Sequence, residues 1–78
     1  MRIVREIQGK PCKVTVFSWN EKYLIKLEFG PFEQTFKVSM MDYLEEELVE
    51  ILSDKFISEA MDRFQTMGES LRTAINSF

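Results

Sequence analysis

The first half of the chain is patterned with period two and the second half with the period of a helix, and the change falls at the stretch KVSMMDYLEEE. That order predicts one α+β domain over residues 1–78, with a sheet in residues 1–38 and helices in residues 39–78. No linker, internal repeat or low-complexity stretch divides it.

Register can be read from the turn signals. With Asn20 and Glu21 at a hairpin tip, Ser18 lies opposite Tyr23, Val16 opposite Ile25, Val14 opposite Leu27 and Cys12 opposite Phe29, all on one face. A slip of one residue would set Val16 against Lys26. In the stretch EFGPFEQ, Gly30 supplies a positive φ and Pro31 a fixed negative one, so a second tip there sets Phe29 against Phe32, Ile25 against Phe36 and Tyr23 against Val38. Both turns select the same apolar face. Glu28 then lies opposite Glu33, with Lys13 and Lys26 near enough to soften the repulsion. A tip at Gly9 and Lys10 sets Ile7 against Cys12, Ile3 against Val16 and Glu6 against Lys13, and turns Arg5 coreward, as suits an edge strand.

The expected fold is therefore a four-stranded antiparallel β-meander followed by two C-terminal helices packed on one sheet face. Its expected core on the sheet is Ile3, Ile7, Val14, Val16, Tyr23, Ile25, Leu27, Phe29, Phe32, Phe36 and Val38, with Cys12 among them. Asp42 and Glu45 have capping-box spacing, and Leu44, Leu48, Ile51 and Leu52 form a stripe behind them. Ser53 and Asp54 offer a second N-cap, which favours two helices over one long bent one. Gly68 could end the second helix, but Ile57, Ala60, Phe64, Met67, Leu71, Ala74 and Phe78 keep alternating three- and four-residue spacing through it and argue for continuation. A helix from Asp54 to Asn76 would be about 34 Å long against about 27 Å for an eight-residue strand, so its last turns should overhang the sheet.

The other sheet face raises the functional question. It is expected to carry Val4, Phe17, Trp19 and Leu24 together, ringed by Arg2, Lys13, Lys22, Lys26 and Lys37. A contiguous aromatic cluster of this kind marks a contact, covered by the chain's own C-terminal segment, by a partner or by a ligand. Lysines beside two aromatic rings also match the outline of a platform for single-stranded nucleic acid, with Lys13, Lys22, Lys26 and Lys37 as the contacts. Glu6, Glu28 and Glu33 on the same face, and a net charge of −3, argue against it.

Composition narrows the remaining chemistry. At 78 residues the chain is near the lower end for a self-sufficient core, which makes assembly attractive. Histidine is absent and Cys12 is the single cysteine, so the usual general base, a disulfide framework and a multi-thiolate metal site are all missing. No phosphate loop, nucleophile elbow or calcium-loop spacing occurs. The run Glu45, Glu46, Glu47 and Glu50 suits the first turns of a solvated helix rather than a cation cage. Met40, Met41, Met61 and Met67 read as packing rather than as an adaptable groove. Neither a cofactor nor a metal is assigned.

Residues 1–38 carry a net +3 and residues 39–78 a net −6, so an acidic helix of one subunit could lie across the basic sheet of another. No stretch reaches the roughly 18 apolar residues of a membrane span, and the charged start MRIVREIQGK lacks a signal-peptide core, which makes a cytoplasmic setting the default. At fold level only, the outline is similar to that of small bacterial proteins and brings no site with it. The expectation is a non-enzymatic interaction or structural module. Its first expected partner is a second copy of itself, a homodimer formed through the Phe17, Trp19 and Leu24 face or through a helix seam of Leu71, Ala74, Ile75 and Phe78. A different protein partner comes second, nucleic acid is the alternative, and no membrane is expected.

Overall fold

The computed structural model describes residues 1–78. Four strands, β1 (Arg2–Ile7), β2 (Lys13–Trp19), β3 (Lys22–Phe29) and β4 (Phe32–Ser39), form one antiparallel sheet in the order β1-β2-β3-β4, and two helices follow, α1 (Glu45–Ile51) and α2 (Asp54–Asn76). No helix is long and apolar enough to cross a membrane.

The two inner hairpins have the register that the turn signals dictate. Ser18 pairs with Tyr23, Val16 with Ile25 and Val14 with Leu27, while Phe29 pairs with Phe32, Ile25 with Phe36 and Tyr23 with Val38. Asn20 and Glu21 both have positive φ, 50° and 60°, which is the type I′ pattern that matches strand twist. Gly30 has φ 59°, as its turn requires. The apolar face so formed packs Val14, Val16, Ile25 and Leu27 against Leu48 and Leu52 of the first helical segment and Ile57, Ala60 and Phe64 of the second.

The outer hairpin departs from expectation. Ile7 pairs with Val14 rather than Cys12, and the β1–β2 connection takes five residues, Gln8 to Cys12. Proline explains the longer loop: a tight tip at Gly9 and Lys10 would place Pro11 in the ladder, where it has no N–H to give. Cys12 precedes β2 but still turns inward and is buried in the core. A bulge between Ile3 and Arg5 then shifts the register again, so Ile3 faces Phe17 on the second sheet face and is 55% exposed. Ile3 is therefore not a core residue. Val4, expected on the second face, packs against the core instead. Arg2 lies opposite Ser18, outside the basic ring assigned to it, whereas Arg5 faces coreward and reaches Glu45 at 3.7 Å.

The helical half breaks at Ser53, whose hydroxyl accepts a hydrogen bond from Phe56 N at 3.2 Å and so caps α2. α1 begins later than the Asp42 signal suggested: Leu44 is the N-cap, and Glu47 Oε1 accepts from Leu44 N at 2.7 Å. Ser39, not Asp42, organises the preceding turn, its Oγ accepting from Met41 N. Leu44 is accordingly exposed and leaves the stripe to Leu48, Ile51 and Leu52. α2 runs unbroken through Gly68 to Asn76.

Candidate functional site

The exposed apolar residues of the folded chain include a group at the far end of α2 and another on the uncovered sheet face, besides Met41, Tyr43, Leu44 and Val49 around the start of α1. The placement of α2 is fixed by a series of contacts with the β3–β4 hairpin. Phe56 meets Phe36 edge to face with ring centroids 5.3 Å apart, and Arg63 lies over both rings at about 6 Å. One helical turn further on, Gln34 Nε2 donates to the Ala60 carbonyl at 2.9 Å, and Arg63 Nε donates to Gln34 Oε1 at 2.8 Å. Phe64 then packs on Phe29 at 5.8 Å, and Gly68 lies over the ring of Phe32. The helix thus runs antiparallel to β4 and reaches the Gly30–Pro31 turn at Gly68.

Beyond that turn there is no sheet left to cover. Every residue from Glu69 to Phe78 is exposed, including Leu71, Ala74, Ile75 and Phe78, and the molecule is drawn out to 45 Å along its longest axis against 26 and 19 Å across. The overhang expected from helix and strand lengths is present. So is the heptad stripe, but its last three members, Leu71, Ala74 and Phe78, touch no core. At the foot of the overhang, Phe29, Phe32, Met61 and Phe64 line an apolar groove of about 380 Å³. Phe29, expected in the core, is the exception among them. At the end of its strand it is only half covered, and the hairpin length relative to α2 was the signal for it.

The second sheet face carries only its own side chains, because both helices pack on the first. Trp19 is 49% exposed and Phe17 is half-buried. Leu24, expected beside them as open surface, is 6% exposed: it sits between Phe17 and Lys37 on the adjacent strands and shares a recess with Met1 and Lys26. With Val4 turned to the core, the expected four-residue cluster reduces to Phe17 and Trp19, joined by Ile3. The C-terminal segment does not fold over this face.

Of the four lysines there, Lys13, Lys22 and Lys37 are exposed and Lys26 is engaged. Its Nζ lies 2.7 Å from Glu33 Oε1, and that hydrogen bond, with the nearby Glu28 charge, raises its pKa. The pair also offsets the facing glutamates Glu28 and Glu33. The charge division between the halves is partly used within the chain, since Arg5 pairs with Glu45 and Lys10 with Asp54 at 3.4 Å.

Cys12 is buried, and burial raises its thiol pKa, which disfavours the thiolate a nucleophile would need. No three acidic or cysteine side chains converge at metal-binding distance. Compared with protein-family models, curated proteins and solved structures, the chain matches none.

Proposed function

We propose that the protein is a non-enzymatic interaction module that associates with a second copy of itself through the bare end of α2. The observation that carries this reading is the ten-residue overhang, in which Leu71, Ile75 and Phe78 are each about half exposed or more although they continue the stripe that builds the core. A solvated helix face is normally polar, and a single chain of this size gains nothing from ordering three large apolar residues in water. The buried thiol and the lack of histidine support a role without covalent or acid–base chemistry. Of the two candidate self-association surfaces, the sheet face is the poorer, because Leu24 is already covered and Val4 faces the core.

The test is association state measured by light scattering for wild type, Ile75→Glu and Trp19→Glu. Wild type is expected to be a dimer at micromolar concentration, Ile75→Glu a folded monomer and Trp19→Glu a dimer. A wild type that stays monomeric at high micromolar concentration removes the reading.

The half-exposed indole of Trp19 opposite Lys22 supports a second reading, weak binding of single-stranded nucleic acid. Quenching of Trp19 fluorescence by oligonucleotides, fading steeply with added salt, would favour it. Unchanged fluorescence at low salt would eliminate it.

A further inference from the structure

The sheet has two outer strands, and only one of them is spoiled for pairing. β1 carries a bulge between Ile3 and Arg5, whereas β4 runs eight residues in unbroken register with β3 and contains no proline. The two-residue turn at Gly30–Pro31 fixes which of its main-chain groups are free. The pair that closes such a turn, Phe29 and Phe32, exchanges main-chain hydrogen bonds, and so does every second pair after it up to Tyr23 and Val38. Met40 N–H, donating to the Glu21 carbonyl at 3.1 Å, is the next rung of the same series. The N–H and C=O groups of Glu33, Thr35 and Lys37 therefore point away from the sheet, and all three residues are exposed. Such a row on a regular strand is a template for a further strand.

We infer that β4 pairs antiparallel with β4 of a second copy about a two-fold axis through Thr35, joining two four-stranded sheets into one. This edge is separate from the end of α2 and does not depend on it. Charge selects both the occupant and the register. About Thr35, Glu33 of each copy falls opposite Lys37 of the other, on the second sheet face, and opposite charges so placed attract. Centring the axis on Glu33 or on Lys37 instead would set that residue against its own copy, like charge on like. The contact of Glu33 with Lys26 uses Oε1 and leaves Oε2 for the second copy's Lys37. Hydrogen-bond phase agrees with charge: Glu33, Thr35 and Lys37 all bond outward, so each of the three facing pairs can exchange two main-chain bonds.

The helices permit this approach. α2 lies over the seam between β3 and β4, since Phe64 packs on Phe29 of one strand and Phe56 on Phe36 of the other. Strands are about 4.8 Å apart, so the β3–β4 seam lies about 5 Å from the new one and the two α2 helices come side by side at about 10 Å, an ordinary packing distance. The bulged β1 strands become the two outer margins of the joined sheet, and addition stops there.

The pairing should be weak, because main-chain bonds contribute little net against the cost of immobilising two chains; a dissociation constant on the order of hundreds of micromolar is expected. Sedimentation equilibrium of Ile75→Glu, in which the α2 surface is disabled, tests it between about 10 µM and about 1 mM, where the variant should pass from monomer to dimer. Adding Glu33→Lys or Lys37→Glu should weaken the dimer about 10-fold or more, and adding both should restore it, because the exchanged charges again face their opposites. Thr35→Pro, which removes an outward N–H and leaves the bonds to β3 intact, should abolish pairing. Circular dichroism verifies that each variant is folded. A chain still monomeric at the highest concentration overturns the inference, and so does a double exchange that fails to restore what the single changes remove. Should Ile75→Glu already be dimeric at 10 µM, the same exchange decides: dissociation by Glu33→Lys with recovery in the double variant supports pairing through β4, and indifference to both overturns it. Association of the wild type at micromolar concentration reads the α2 surface, so failure of that reading is told apart from failure of this one.

Discussion

The side chain of Gln34 on β4 donates a hydrogen bond to the main-chain carbonyl of Ala60 in the middle of α2, at 2.9 Å. Its oxygen accepts from Arg63 Nε, so one residue ties the helix to the sheet at two points. This tie lies between the Phe36–Phe56 and Phe29–Phe64 contacts, and with them it sets the angle at which α2 leaves the sheet.

Gln34→Ala removes both bonds at a partly buried site. A net hydrogen bond contributes about 1 kcal/mol, so the variant should lose about 1–2 kcal/mol. For a domain of this size that lowers Tm by about 4–8 °C for each kcal/mol, measured by thermal circular dichroism. An unchanged Tm would mean that the tie is made equally well by water.

Gly68→Ala should stabilise the folded chain. Gly68 lies inside α2 with ordinary helical φ, and an added Cβ would meet Phe32 Cε2 at 3.6 Å, an ordinary contact. Helix propensity then favours alanine by about 1 kcal/mol. Thermal melts followed by circular dichroism check this, and a lower Tm would contradict it.

Glu21→Gly should also raise stability. Glu21 has φ 60°, a conformation that costs a side-chain-bearing residue about 1 kcal/mol and glycine nothing. The change produces the Asn-Gly pair that type I′ hairpins prefer. Chemical denaturation would show a higher midpoint at the same slope, and a lower midpoint would count against the turn geometry.

Cys12 should resist alkylation at neutral pH until the chain is unfolded, because burial both blocks the reagent and raises the thiol pKa. The same burial gives stability a pH dependence. The folded pKa lies above the unfolded one, so the thiol's contribution is fully present below its ordinary value of 9.0 and is lost as pH rises beyond it. Cys12→Ala should flatten that decline in thermal melts from neutral to alkaline pH. Rapid labelling of the native protein by iodoacetamide would show that the loop before β2 opens freely.

Much of this arrangement was legible in the residues. The β2–β3 and β3–β4 registers follow from turns at Asn20–Glu21 and Gly30–Pro31, because each must put the same apolar set on one face. The extent of α2 follows from a stripe that ignores Gly68. The register of β1 is not legible in the same way, because nothing in its own pattern fixes a partner. Pro11 lengthens the loop, and the bulge at Val4 exchanges the faces of Ile3 and Val4, both effects of backbone geometry rather than of hydrophobic spacing. The start of α1 was misplaced for a similar reason, since Asp42–Glu45 and Leu44–Glu47 both fit a cap and only the turn from β4 decides between them. Leu24 escaped because alternation assigns a side chain to a face but says nothing of how far neighbouring lysine stems and Phe17 lie over it.

The irregularity in β1 has a consequence for what this edge of the sheet can accept. An outermost strand offers free N–H and C=O groups to any extended chain, and proteins that must not stack into ribbons spoil that invitation with charge and local distortion. β1 does both, with Arg2 and Arg5 flanking a kink at Val4. Lateral growth of the sheet from this side is thereby obstructed, and growth without limit along the ribbon direction is obstructed with it.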